Sequence, residues 1–253
     1  MSLLYLLGFF LIILIYLINK YSFSNLKPTC ENYVTNTYLY LAFSLLFVAL
    51  LVNVFNNICS SKALNLFKNI LCNTSFSLFS AIASFIIVIL IFVRTKDYSK
   101  NGHILNHSLW ISFLLLFSVS FRTVFLSINN YDIIYTIFLT FFIFLIMSLA
   151  VYINPSFFER SYKFAITGLL VALIVIIISE IILFFYKNKL AKKYITYFAV
   201  IVFSMIISYD TIEVFNLAKN CVKYPNYPKS SLDFFITILN LFSGLLRGKL
   251  ARY

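Results

Sequence analysis

The sequence predicts an all-α integral membrane protein, and three observations carry that prediction. Hydrophobic residues make up 62% of the 253-residue chain and charged residues only 11%, too little polarity to cover a soluble globule of this size. Apolar residues gather in eight long runs, each near or above the roughly 17–25 residues that cross a hydrocarbon core as a helix. Within the runs hydrophobicity is continuous rather than alternating, which excludes the strands of a transmembrane barrel.

In chain order the runs cover about 3–19, 36–56, 78–94, 108–128, 132–153, 164–186, 194–217 and 231–247. The first, "LLYLLGFFLIILIYLI", has neither a basic start nor a small-residue cleavage site, so residues 1–20 read as a retained membrane anchor rather than a secretory signal. The remaining runs form one multi-helix membrane domain over 33–250. Their connections are short and collect most of the Lys, Asn and Pro, so no soluble domain is expected. No internal repeat is evident, which disfavours an inverted-repeat transporter.

A net charge of +12 raises the question of nucleic acid, but the basic residues are spread over nearly every loop instead of one face. A lipid bilayer with anionic headgroups accounts for them better, and no nucleic-acid partner is expected. If all eight runs cross, ten basic residues fall on one side and nine on the other, which does not orient the chain. If the last run dips in and returns, the balance becomes thirteen to six, so the sequence favours a re-entrant or half-buried last helix with the larger group cytosolic. On that orientation Cys59 and Cys72 share a lumenal loop where a disulfide can form, while Cys30 and Cys221 face a reducing cytosol; four unpaired thiols are the simpler alternative. The sequon "NTS" at Asn73 lies in the same lumenal loop, and "NHS" at Asn106 is expected to be silent.

No nucleophile elbow, zinc-protease, phosphate-loop or dinucleotide fingerprint is present, so neither an enzyme nor a cofactor is expected. His103 and His107 share a helical face, but without an acidic or Cys neighbour they read as interfacial histidines rather than metal ligands. Charges inside apolar runs are more informative, because each must find protein or water instead of lipid. Arg122 and Glu180 both lie about two turns inside the same end of their runs and are expected either to pair or to snorkel separately. At the other end, helix directions bring Arg94, Asp210, Glu213 and Asp233 towards one level. Carboxylates crowded in low dielectric cannot all ionise, so one is expected to hold a proton near neutrality, with Arg94 clamping whichever is charged. The competing readings are a helix N-cap for Asp233 and simple interfacial exposure for Glu213.

The stretch "SYDTIEV", followed about twenty residues later by "LD" and "LNLFSGLLR", resembles the C-terminal pattern of the transmembrane Bax-inhibitor-motif proteins, which include Bax inhibitor and the Golgi anti-apoptotic proteins. "YVTNTYLYLAFSLLF" is similar to the start of that family's first core helix. The resemblance covers about residues 33 to 250 and leaves the first anchor as an extra element. It implies a seven-helix bundle with a central last helix in endoplasmic reticulum or Golgi membranes. It also implies a pH-sensitive calcium leak, calcium and protons as the ions handled, suppression of cell death, and cell-death regulatory membrane proteins as partners.

Of the family's paired aspartates, the first carries over to Asp210. The second aligns with Thr237, and this chain has its carboxylate one turn earlier at Asp233, about 6 Å along the helix. The departure suggests that Glu213 and Asp233 share a proton while Arg94, where some family members have an arginine latch, holds Asp210. Two other classes stay open. One is a proton-coupled carrier using the same carboxylates, and the other is a degenerate or structural membrane protein, of viral or other source, without conductance.

Overall fold

The computed structural model describes residues 2–24, 27–60, 65–93, 102–126, 128–186, 188–221 and 225–250. Nine α-helices follow one another among them: α1 Ser2–Ser22, α2 Tyr33–Ser60, α3 Asn65–Leu71, α4 Thr74–Val93, α5 Gly102–Leu126, α6 Asn130–Ile153, α7 Pro155–Phe185, α8 Lys189–Lys219 and α9 Tyr227–Leu250. Eight of these, all but α3, are long and apolar enough to cross a membrane, so the chain is a multi-pass membrane protein, as its hydropathy predicts. Large apolar side chains exposed on the helices, such as Phe9, Phe138 and Ile181, face the solvent that suits them, which is lipid. Two features escaped the sequence: α3, and a short antiparallel pair in which Phe23–Ser24 meets Lys27–Pro28.

The chain divides into two compact units, residues 1–128 with 217–232, and residues 129–216 with 233–253. In the first, α1 packs on α2, α2 on α5, and α4 on α5. The N-terminal anchor is therefore an integral part of this unit. Small residues let helices approach closely where lipid supplies no hydrophobic push. Ser77, Ser80 and Ser84 form such a stripe on α4, and the Ser120 hydroxyl of α5 donates across it to the Ser77 carbonyl at 3.1 Å. Other buried hydroxyls bond back to their own helix, as Thr37 does to Tyr33 and Ser44 to Tyr40, which satisfies these donors in an apolar medium.

A second knot in this unit ties the start of α2 to the start of α9. Asn36 is fully buried, and its amide lies within hydrogen-bond distance of the Tyr21 and Glu31 carbonyls and the Tyr227 hydroxyl. Tyr227 in turn donates to the Thr29 carbonyl, and the Tyr33 and Ser230 hydroxyls share a bond of 3.0 Å. A disulfide joins Cys30 to Cys221 beside this knot, and a second joins Cys59 to Cys72. The expected free thiols at Cys30 and Cys221 are thus corrected. Tertiary packing around Tyr227 brings together two cysteines that lie 191 residues apart in sequence.

In the second unit one residue separates two helices. The Asn154 N–H donates to the Ala150 carbonyl and closes α6, its side chain accepts from the Phe157 N–H, and Pro155 opens α7, a position where a missing N–H costs nothing. Helix α7 therefore begins well before the apolar run at 164. Ile176 of α7 and Ala199 and Val202 of α8 form the unit's buried apolar cluster.

Helix α9 is unbroken, and 61% of its spanning window is buried against 6% for α1. A re-entrant last segment is thereby corrected: 24 residues run as one helix with no return. Gly244 and Gly248, one turn apart on α9, sit against α8, where a Cβ would lie 3.3 Å from Val200 Cγ2 and from Thr196 Cγ2 respectively. Gly244→Val is expected to cost about 1–3 kcal/mol by overpacking this contact, read as a lower midpoint in thermal unfolding in detergent. An unchanged midpoint would mean that α8 and α9 can part at no cost.

Candidate functional site

Asp210 lies nine residues before the end of α8, about 13 Å from the helix terminus. No apolar medium tolerates a bare carboxylate at that depth, and its environment shows how it is accommodated. The Thr237 hydroxyl of α9 donates to Asp210 Oδ2 at 2.9 Å, and Thr237 Oγ1 also lies 3.1 Å from the carbonyl oxygen of Asp233. Position 237, where the family pattern has its second aspartate, is thus the position that meets Asp210; in this chain a neutral hydroxyl stands there.

Asp210 and Glu213 line one wall of a cavity of about 220 Å³, together with Tyr209 and Ile206 of α8 and four apolar side chains of α7 that include Leu169 and Leu173. Glu213 is half-buried and shares this wall one turn from Asp210, so simple interfacial exposure does not describe it. Tyr209 is nearly buried and lies 3.4 Å from the Ser161 hydroxyl, with its ring against Phe158 and Tyr162. The other face of the same stretch of α8 is held to α6, where the Thr211 and Ser208 hydroxyls lie 3.4 and 3.5 Å from Ser148 Oγ and the Met147 carbonyl. The residues around Asp210 thus point two ways: Ser208 and Thr211 anchor the helix, and Asp210 and Glu213 face the cavity.

Asp233 sits one turn before Thr237 on α9 and is partly buried, as Glu213 is; its backbone carbonyl is the group that reaches Thr237. It lies within α9, which begins six residues earlier at Tyr227, so the N-cap alternative for Asp233 is corrected. Arg94 falls outside the described residues. Arg122 and Glu180 belong to different units, and each has a described partner inside its own unit. Arg122 donates to Cys59 Sγ at 2.8 Å and to the Leu71 carbonyl at 3.2 Å. Glu180 meets Arg247 of α9 at 2.7 Å. Hydropathy places charges in depth but not in rotation about the helix axis, and rotation chose the partners.

His107 is held at both nitrogens, with Nδ1 2.6 Å from the His103 carbonyl and Nε2 2.7 Å from the Tyr40 hydroxyl. A carbonyl accepts only, so Nδ1 carries a proton, and the ring sits among Tyr40, Trp110 and Phe23. Among the described residues no three His, Cys, Asp or Glu side chains converge as metal ligands. Asn106 of the second sequon is buried. Asn73 is exposed, and its Oδ1 accepts from the Ser75 N–H at the start of α4.

The fold and this site define a class: a helical multi-pass membrane protein with carboxylates set into a helix-lined cavity. The family model described as "Inhibitor of apoptosis-promoting Bax1" matches residues 30–248, which takes in both units and every carboxylate of the site. The chain belongs to that Bax-inhibitor family. No curated protein shows a significant match to it.

Proposed function

We propose that this protein is a calcium-permeable leak of an endoplasmic reticulum or Golgi membrane that restrains cell death, and that Asp210 is the residue on which conduction depends. The observation that carries this reading is Asp210 itself, a carboxylate inside a membrane helix, bonded among the described residues by one neutral hydroxyl and set beside Glu213 in one cavity. Thr237 satisfies one lone pair of one oxygen. The remaining capacity of Asp210, with Glu213 and the Thr237 hydroxyl, is an all-oxygen donor set of the kind a hard divalent cation takes. A proton competes for the same oxygens.

The hydroxyl at 237 decides how the site answers to that proton. Thr237 has one hydrogen and two acceptors in reach, Asp210 Oδ2 and the Asp233 carbonyl. With Asp210 ionised, the hydrogen goes to the carboxylate. With Asp210 protonated, the carboxyl donates to Thr237 Oγ1, whose own hydrogen turns to the Asp233 carbonyl. The contact between α8 and α9 survives both states, so the proton changes the charge on the path without breaking the helices apart. Two carboxylates here would repel when both ionise.

Thr237→Asp is therefore expected to steepen the dependence of calcium flux on pH, measured with liposomes between about pH 5 and pH 8. An unchanged profile would place the proton elsewhere, with Glu213 and Asp233 the next pair to substitute and Arg94 the candidate latch. Saturable uptake of a second solute in the same liposomes would favour a proton-coupled carrier over a leak.

A further inference from the structure

Arg122 is a buried cation to which the proposed conduction path assigns no part. It is 3% exposed, on a helix where a charge is costly. Its described hydrogen-bond partners are Cys59 Sγ and the Leu71 carbonyl, and Nε has none. A guanidinium at that distance can donate to the negative charge that lands on Cys59 Sγ when the bond opens. The bond it touches closes the turn from α2 through α3 to α4, and both sulfurs belong to residues that are partly exposed. Helices α2 and α4 have no charged side chain. Lys68 of α3 is the other cation near this bond in sequence.

Cys30 lies three residues before α2 and Cys59 in its last turn, so the two disulfides sit at opposite ends of a 28-residue helix, about 42 Å apart along its axis. That exceeds the hydrocarbon thickness of about 30 Å. The two bonds therefore face different compartments, and in any membrane bordering the cytosol one of them meets a reducing milieu.

We propose that Cys59–Cys72 is a thiol–disulfide exchange site whose leaving group is the Arg122-paired thiolate of Cys59, and that its partner is a dithiol reductant. The reductant's thiolate attacks Cys72 Sγ. A bond forms between those two sulfurs, the Cys59–Cys72 bond breaks, and its electron pair departs on Cys59 Sγ beside Arg122 Nη1. The reductant's second thiol then attacks its own sulfur in the mixed disulfide, closes the reductant's disulfide and releases Cys72, which takes a proton. Two electrons pass from the dithiol to the protein, and the dithiol's two protons end on Cys72 and in solvent or on Cys59. A leaving sulfur whose developing charge is already met by a donor departs faster. Among the described residues Cys30–Cys221 has no cation bonded to its sulfurs, and it serves as the internal standard.

The test uses the full-length protein in nanodiscs, treated with dithiothreitol for graded times, quenched by alkylation and read by peptide mass spectrometry. Cys59–Cys72 is expected to open about tenfold faster than Cys30–Cys221, and Arg122→Met to remove most of that difference while Arg122→Lys keeps it. A measurement that needs no variant accompanies it. With glutathione, a monothiol, the mixed disulfide is expected on Cys72 and the alkylated thiol on Cys59. Equal opening rates for the two bonds, or glutathione found mainly on Cys59, overturns the proposal whether or not the Arg122 variants fold.

Discussion

Asp210→Asn is expected to lower calcium flux into liposomes by about tenfold or more, the scale of losing one charge-assisted ligand worth at least 1.4 kcal/mol, and to flatten whatever pH dependence the wild type shows. The substitution keeps the shape of the side chain and its ability to accept from Thr237 at 2.9 Å, so packing between α8 and α9 is retained. What it removes is the charge that draws a cation and the group that binds a proton. Thr237→Val is the matched control. It deletes the one described donor to Asp210 while leaving the carboxylate in the cavity wall, and it is expected to alter the pH profile more than the maximal flux. If both variants conduct like wild type, the path does not pass Asp210.

The second large effect concerns stability. Removing the Cys30–Cys221 bond, which closes a loop of 191 residues, would cost about 5 kcal/mol in the chain-entropy account for water. Membrane helices that stay inserted on unfolding leave less entropy to restrain, so a loss of about 3 kcal/mol is expected for Cys30→Ser, within the typical range for a native disulfide. Cys221→Ser and the double substitution should lose the same amount, because the first change already abolishes the bond. Urea or thermal unfolding in detergent measures it. Additive losses would mean that the two sulfurs act separately.

Helix α9 carries both Tyr227 of the knot and Thr237 of the carboxylate site. The knot of Tyr227, Asn36 and Thr29 holds the beginning of α9 to the start of α2, and Thr237 lies ten residues further along the same helix. Measuring flux on Cys30→Ser under conditions where it remains folded separates a stability effect from a change at the site.

Much of this protein is legible in its residues because lipid imposes so few choices. Runs of about twenty apolar residues must be helices, since no other open structure satisfies its own backbone there, and all eight runs are helices in the fold. Asp210 announced itself for the same reason: a carboxylate in "VIVFSMIISYDTIEVF" is too costly to be idle. Thr237 was visible only as a departure from a family pattern, and no rule of composition would have singled out one threonine.

What the linear sequence leaves open is partnership. Depth along the membrane follows from counting residues, but the direction in which a side chain points depends on how each helix is rotated and which neighbour it meets. That is why Glu180 took Arg247, why Arg122 went to a sulfur and a carbonyl, and why Cys30 found Cys221. The sequence by itself determined the class, the eight crossings and the residue whose burial must be explained. The tertiary structure decided which hydroxyl meets that residue and which cysteines pair, because those contacts arise from packing between helices far apart in the chain, and hydropathy has no term for it.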